Sequence, residues 1–288
     1  MSKDLHRGRH NPLWRRAGIA VIDMALAGGW AARCSRRLGL HGRLCVSEYD
    51  VHLPEAALPT PLVLAFASDF HAGPTTHPGL YAACVDELIA RNPDLFLLGG
   101  DFVFCKADYL IQLTRQLTRY EAPLGTFAIL GNHDLWTDRV QITQDLTAAG
   151  VTVLVNQHVT LPAPFGGVSI CGIDDPWTGN ADAASAFSGA MPVRIFLTHS
   201  PDGLLLLGKE RYDVGFAGHT HGGQIALPNG TPILGAGGPL SRSHSRGRFE
   251  VSGNGPFIVS RGVGCSNLPV RINSDSELVI CTLRSDPY

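Results

Sequence analysis

Charge is scarce in this chain. Asp, Glu, Lys and Arg make up 17% of its 288 residues, and the formal net charge is −2. That balance leaves a comparatively apolar surface and excludes a general electrostatic affinity for nucleic acid. Paired cysteines are absent too. Cys34, Cys45, Cys84, Cys105, Cys171, Cys265 and Cys281 are odd in number, form no C-x-x-C pair and sit mostly in apolar runs. A disulfide framework is therefore excluded, and buried free thiols in a reducing cytoplasm are expected. What remains is ordinary: 44% hydrophobic residues over a length that suits one large α/β domain or two small ones.

The little charge present is unevenly placed. Residues 1–45 hold nine Lys/Arg against Asp4 and Asp23, which makes this arm +7 and leaves −9 on the rest. Residues 17–32, AGIAVIDMALAGGWAA, form an apolar run between Arg15-Arg16 and Arg33, Arg36 and Arg37. The run falls short of the roughly 20 residues that a spanning helix needs. Asp23 in its middle makes spanning costlier. The preferred reading of residues 1–55 is an arm whose helix lies in the membrane interface, with Trp14 and Trp30 near its ends and arginines meeting anionic headgroups. The alternatives are a helix packed on the body or a twin-arginine export signal. Charge after the run and the lack of a small-x-small cleavage site weigh against the signal.

Residues 56–288 read as one catalytic domain. Apolar runs at 62–67, 95–98, 126–130, 193–197 and 214–217 are strands buried on both faces. Helices are expected over 78–91, 107–120, 138–149 and 202–207, with further strands at 151–155, 168–173, 256–260 and 277–283. Each of the five apolar strands runs directly into metal-competent residues. In order these are Asp69 and His71; Gly100-Asp101; Gly131-Asn132-His133-Asp134; His199; and Gly218-His219-Thr220-His221. Ligands of open α/β sheets bind at the carboxyl ends of strands, so the five clusters converge on one site. A lone histidine or a Gly-Asp turn means little by itself; five clusters in succession point to a metal centre. The donor set of carboxylate, imidazole and amide suits Mn, Fe or Zn, and no thiolate selects zinc. Asp174-Asp175 reads as a loop turn with solvated charge. His158 and His244 read as surface histidines.

These residues resemble the calcineurin-like metallophosphoesterases, whose pattern is D-x-H, G-D, G-N-H-D/E, a separate H, and G-H-x-H. The match runs from residue 62 to 223 with no element missing. The stretches SDFHAG, GDFVF, THSPDG, GHTHGGQIALP and SRGVGCSNLPVRIN further resemble a bacterial membrane-associated branch that includes UDP-2,3-diacylglucosamine pyrophosphatases of lipid A synthesis. The resemblance implies a four-layer α/β/β/α sandwich of two mixed sheets. It implies two divalent metals, manganese first, with Fe, Zn or Mg as alternatives. Asp69, His71 and His221 would hold one, Asn132, His199 and His219 the other, and Asp101 would bridge them. His133 would face the phosphate and protonate the leaving oxygen, and Asp134 would orient His133. Asn132 and His133 would also touch substrate, and Arg261 is a candidate for a second phosphate.

The expected activity is hydrolysis of the pyrophosphate bond of a UDP-linked lipid, giving lipid X and UMP. It would take place at the cytoplasmic face of the inner membrane, on an anionic surface. The alternatives are a soluble phosphodiesterase or phosphatase of a small substrate, or, more remotely, a protein-binding scaffold that has lost catalysis.

Overall fold

A computed structural model describes residues 12–53, 58–233 and 235–285. The arm forms α1 (Leu13–Ala25) and α2 (Trp30–Arg37), separated by Gly28 and Gly29, both in the left-handed region. The apolar stretch from Leu13 to Arg37 is 25 residues long, more than the sixteen read from sequence, and is long and apolar enough to cross a membrane. The glycines split it, however, and α1 alone spans only about 20 Å at 1.5 Å per residue. Residues 1–11 and 54–55, which complete the expected arm, lie outside the described residues.

The end of that expected arm belongs to the body. β1 (Leu44–Leu53) pairs in parallel along all ten residues with the C-terminal strand Ser276–Ser285. There follow β2 (Leu62–Ala67), α3 (Gly79–Arg91), β3 (Leu95–Leu98), α4 (Leu110–Leu117), β4 (Thr126–Ala128), α5 (Asn132–Thr137), α6 (Arg139–Ala148) and β5 (Val151–Val153). The second half supplies β6 (Gln157–Thr160), β7 (Val168–Gly172), α7 (Ala183–Phe187), β8 (Val193–Leu197), β9 (Val214–Ala217), β10 (Gly247–Phe249), β11 (Phe257–Val259) and β12 (Ser276–Ser285).

The strands make two six-stranded mixed sheets, in the orders β1-β12-β2-β3-β4-β5 and β10-β11-β9-β8-β7-β6. The period of two along β2 explains the layering. Leu62, Leu64 and Phe66 point between the sheets, where they meet Ile195, Leu197 and Phe216 of the second. Ala65 and Ala67 point outward, onto Leu80, Cys84 and Leu88 of α3. Burying each large side chain of that central layer contributes about 1.5–3 kcal/mol. A third cluster, including Phe187, Phe196, Tyr212 and Phe257, closes the outer side of the second sheet. The result is an α/β sandwich of the expected kind. The short elements β6, β10, α5 and α7 are additions to what periodicity predicts, because runs of three to six residues carry too little pattern to register.

The central strands of each sheet are parallel, so β2, β3 and β4 deliver their carboxyl ends together, as do β8 and β9. At that edge the chains cross closely. Gly100 has φ +86°, and a Cβ there would lie 2.5 Å from the Gly131 nitrogen. A Cβ on Gly131 would in turn collide with the Asp101 carboxylate. The glycines of Gly-Asp and Gly-Asn-His-Asp are therefore what allow two strand ends to bring their ligands together.

Candidate metal centre

The seven expected ligands come together below a cavity of about 520 Å³. Asp69 and His71 follow β2, Asp101 follows β3, and Asn132 starts α5 after β4. His199 follows β8, and His219 and His221 follow β9. Six of the seven are buried; His219 is half-buried. Three groups have donor atoms within 4.8 Å of one another: Asp69, His71 and His221; His71, Asp101 and His133; and Asp101, His199 and His219. Asp101 Oδ2 lies between the first and the last, 3.5 Å from His71 Nε2 and 3.3 Å from His199 Nε2.

Two features mark this as more than a polar loop cluster. First, His71 Nε2 and His221 Nε2 face each other at 3.0 Å, with Asp69 Oδ1 at 3.4 Å from the latter. Asn132 Oδ1 and His199 Nε2 are buried without a hydrogen-bond partner among the described residues. Buried acceptors such as these two, left without a donor, are costly unless a cation satisfies them. The His/Asp clusters thus fit a metal site. Second, Asp69, His71, Asp101, His219 and His221 all have positive φ, between 42° and 70°. They are five of the nine non-glycine residues in that region among the described residues. Such strain costs on the order of 1–3 kcal/mol per residue and persists only where the surroundings enforce it.

Backbone groups set the tautomers. His199 Nδ1 donates to the Gly99 carbonyl at 2.8 Å, so Nε2 is the nitrogen turned to Asp101 and the one a cation would take. His219 Nε2 is 3.2 Å from the Gly237 carbonyl, which leaves Nδ1 for a cation. Burial lowers the pKa of His71 and His221 and takes His219 down to about 4, so all three imidazoles are neutral, the form a cation requires. Burial alone would raise Asp101 and lower His199, but their mutual attraction holds Asp101 well below the usual carboxylate range and His199 well above the usual imidazole range.

Residues 131–134 differ from the expectation of a loop. Gly131 is the N-cap of α5, and Asn132, His133 and Asp134 form its first turn. Asp134 does not serve as the orienter of His133. Its Oδ2 accepts the N–H groups of Gly131 and Asp101 at 2.9 and 2.8 Å. Its Oδ1 accepts those of Phe102 and Val103 at 2.9 and 3.3 Å. The N3 carboxylate thus caps α5 and ties it to the loop after β3. Burial and the adjacent Asp101 push its pKa up to about 8. Four donors at its two oxygens nevertheless match the ionised form. The group that orients His133 is the Phe104 carbonyl, 2.7 Å from Nδ1. A backbone carbonyl leaves no trace in the sequence.

Arg261 also departs from expectation. Its Nη2 pairs with Glu277 Oε1 at 3.1 Å, its backbone N–H donates to Glu277 Oε2, and it does not line the cavity. It braces β11 against β12 rather than meeting a phosphate. The Asp174-Asp175 turn is not solvated: both side chains are buried. Asp175 Oδ2 accepts the N–H groups of Trp177 and Thr178, a turn that carries Trp177 into the cavity wall. Burial pushes Asp175 up to about 7.

A family model for calcineurin-like phosphoesterases matches residues 62–223, the span that carries every one of these ligands. The chain belongs to the calcineurin-like phosphoesterases. It is 30% identical over 234 residues to the phosphodiesterase YaeI of Escherichia coli, covering 77% of this chain and 82% of the relative. It is 34% identical over 204 residues to the uncharacterized metallophosphoesterase YkuE of Bacillus subtilis, covering 67% and 69%. A zebrafish relative, a transmembrane protein with a metallophosphoesterase domain, is 29% identical over 82% of this chain and 56% of its own length. Among solved structures, a 5'-nucleotidase precursor of Thermus thermophilus aligns over 77% of this chain and 55% of its own, with TM-score 0.44 and 17% identity. As a calcineurin-like phosphoesterase, the chain is a metal-dependent phosphoester hydrolase.

Two parts of this phosphoesterase site escaped the sequence. Trp136 stands three residues after His133, and its ring centre is 5.1 Å from the His133 ring. Reading the loop as a helix would have found it. The other part is α1, whose residues Trp14, Arg15, Gly18, Ile19 and Ile22 form a wall of the cavity. Asp23 anchors this helix, accepting from the Tyr109 hydroxyl at 2.7 Å and pairing with Lys106 at 2.6 Å. Such a long-range contact has no local signal.

Proposed function

We propose that the chain is a binuclear phosphodiesterase acting on a pyrophosphate-linked amphiphile. The observation that carries the binuclear reading is Asp101, whose Oδ2 lies within 3.5 Å of imidazole nitrogens on both sides. Asp69, His71 and His221 would hold one cation, and Asn132, His199 and His219 the other. Manganese is the proposed metal. Two such cations would supply Lewis-acid charge for the phosphate oxygens and make water a nucleophile at neutral pH.

The chain's own residues do the rest. His133 N–H donates to Asp101 Oδ1 at 2.8 Å, which couples its position to the metal centre. With Nδ1 held on the Phe104 carbonyl, Nε2 of the imidazolium is the proton available to the leaving oxygen. The Phe104 carbonyl keeps the second proton on Nδ1 after that transfer.

The amphiphile rests on α1. Its Ile19 and Ile22 make part of the cavity wall apolar. Leu13, Trp14, Val21 and Met24 are exposed, and Arg16, Arg33, Arg36 and Arg37 surround that face in the sequence. This is the pattern of a helix lying on an anionic membrane surface, here the cytoplasmic face of the inner membrane. A UDP-2,3-diacylglucosamine type of lipid fits both features. The alternative, a soluble enzyme with a small substrate, is favoured by one observation: Asp23 pins α1 to the body. One experiment separates them. With manganese-loaded full-length protein, we expect co-sedimentation with anionic vesicles and faster hydrolysis of UDP-diacylglucosamine in them than of a water-soluble diester. No sedimentation, with preference for the soluble diester, would leave the small-substrate reading.

A further inference from the structure

The wall formed by α1 places a cation where the ligands place none. Among the described residues, Arg15 is the only Lys or Arg that lines the cavity. Its guanidinium carbon lies 4.7 Å from the centre of the Trp136 ring, and the same ring packs 5.1 Å from His133. Arg15, Gly18, Ile19 and Ile22 repeat at helical spacing and all line the cavity. Asp23, one position on, fixes the rotation of the helix through Lys106 and Tyr109. Arg15 is half-buried, burial lowers its pKa, and among the described residues no carboxylate pairs with it. A guanidinium stacked on an indole keeps its in-plane N–H donors free for an anion. A partly desolvated cation that no described carboxylate neutralises is costly until a ligand supplies a counter-ion.

We propose that Arg15 binds a second anionic group of the substrate, the phosphate next to the one attacked, and that α1 is thereby part of the active site. The proposal rests on the phosphodiesterase reading above and transfers to Arg15 the role that Arg261, paired with Glu277, does not fill. It also gives the arm a catalytic-site function that is separate from any membrane contact, because Arg15 lines the cavity while Val21 and Met24 face solvent.

The test uses full-length, manganese-loaded protein with bis(p-nitrophenyl) phosphate as the reporter substrate. Methylphosphonate and methylenediphosphonate are compared as competitive inhibitors at fixed free metal. In the wild type the diphosphonate should inhibit about tenfold or more better than the monophosphonate, as a charge-assisted contact implies. Arg15→Gln should bring that ratio to about one, and Arg15→Lys, which keeps the charge but not the stacked fork, should fall between. An unchanged ratio in Arg15→Gln overturns the proposal. So does an equal loss for both inhibitors, which would make Arg15 a packing residue. Absence of any diester hydrolysis by the wild type would instead overturn the phosphodiesterase reading, and is read in a separate column of the same assay.

Discussion

Asp101→Ala is expected to lower kcat/KM for any phosphodiester by about 10³-fold or more, because the metal centre supplies several kcal/mol of charge stabilisation and each 1.36 kcal/mol is a factor of ten. The size follows from position. Asp101 Oδ2 faces His71 on one side and His199 on the other, and Oδ1 receives the His133 N–H. One substitution thus weakens both clusters and loosens His133. Asp101→Asn keeps an oxygen for the His133 N–H and removes only the charge, so it separates loss of metal from loss of packing. Both variants should contain less metal than the wild type by elemental analysis while melting as cooperatively. Wild-type activity of Asp101→Ala in metal-replete buffer would contradict a shared ligand.

His133→Gln is expected to lower kcat by about 10²- to 10⁴-fold, the usual worth of a positioned proton donor, with metal content unchanged. Its ring is held by the Phe104 carbonyl and by edge contact with His71 at 4.6 Å; although it lies within reach of His71 and Asp101, the seven other donors suffice for two cations. Loss of metal together with His133 would make it a ligand instead. Asp134→Asn should behave differently, and the contrast tests the reassignment of that residue. An amide group turned toward the N–H groups of Gly131 and Asp101, or of Phe102 and Val103, leaves donors facing donors. Each donor left unpaired costs about 1–3 kcal/mol. The expected result is a Tm lowered by roughly 5 °C or more, measured by calorimetry. Were Asp134 only an orienter of His133, kcat would fall with Tm unchanged.

The contrast also marks what the sequence can say. The strand-end clusters were legible because each follows a continuous apolar run, and a parallel strand fixes where its next residue goes. Asp69, His71, Asp101, His199, His219 and His221 fall into clusters of closely spaced donors, and Asn132 lines the same cavity. The orienting partner of His133 and the task of Asp134 were not legible, because they depend on which backbone atoms stand opposite. The Phe104 carbonyl and three of the four N–H donors come from a loop about thirty residues away, and neither is encoded by side-chain type. Arg261 misled for a related reason. A glycine-flanked arginine after a strand has the same local pattern whether it meets phosphate or Glu277. Arg15 was hidden by distance: its partner Trp136 lies about 120 positions on, across a contact that Asp23 secures.

The central claim is that one site binds two cations and hydrolyses a phosphodiester with them. It is tested most directly by removing metal with a chelator, titrating manganese back, and reading bound metal and bis(p-nitrophenyl) phosphate hydrolysis on the same samples. About two ions per chain, with hydrolysis rising only as the second is taken up, is the expected result. Full activity with a single ion bound, or with none, would contradict it.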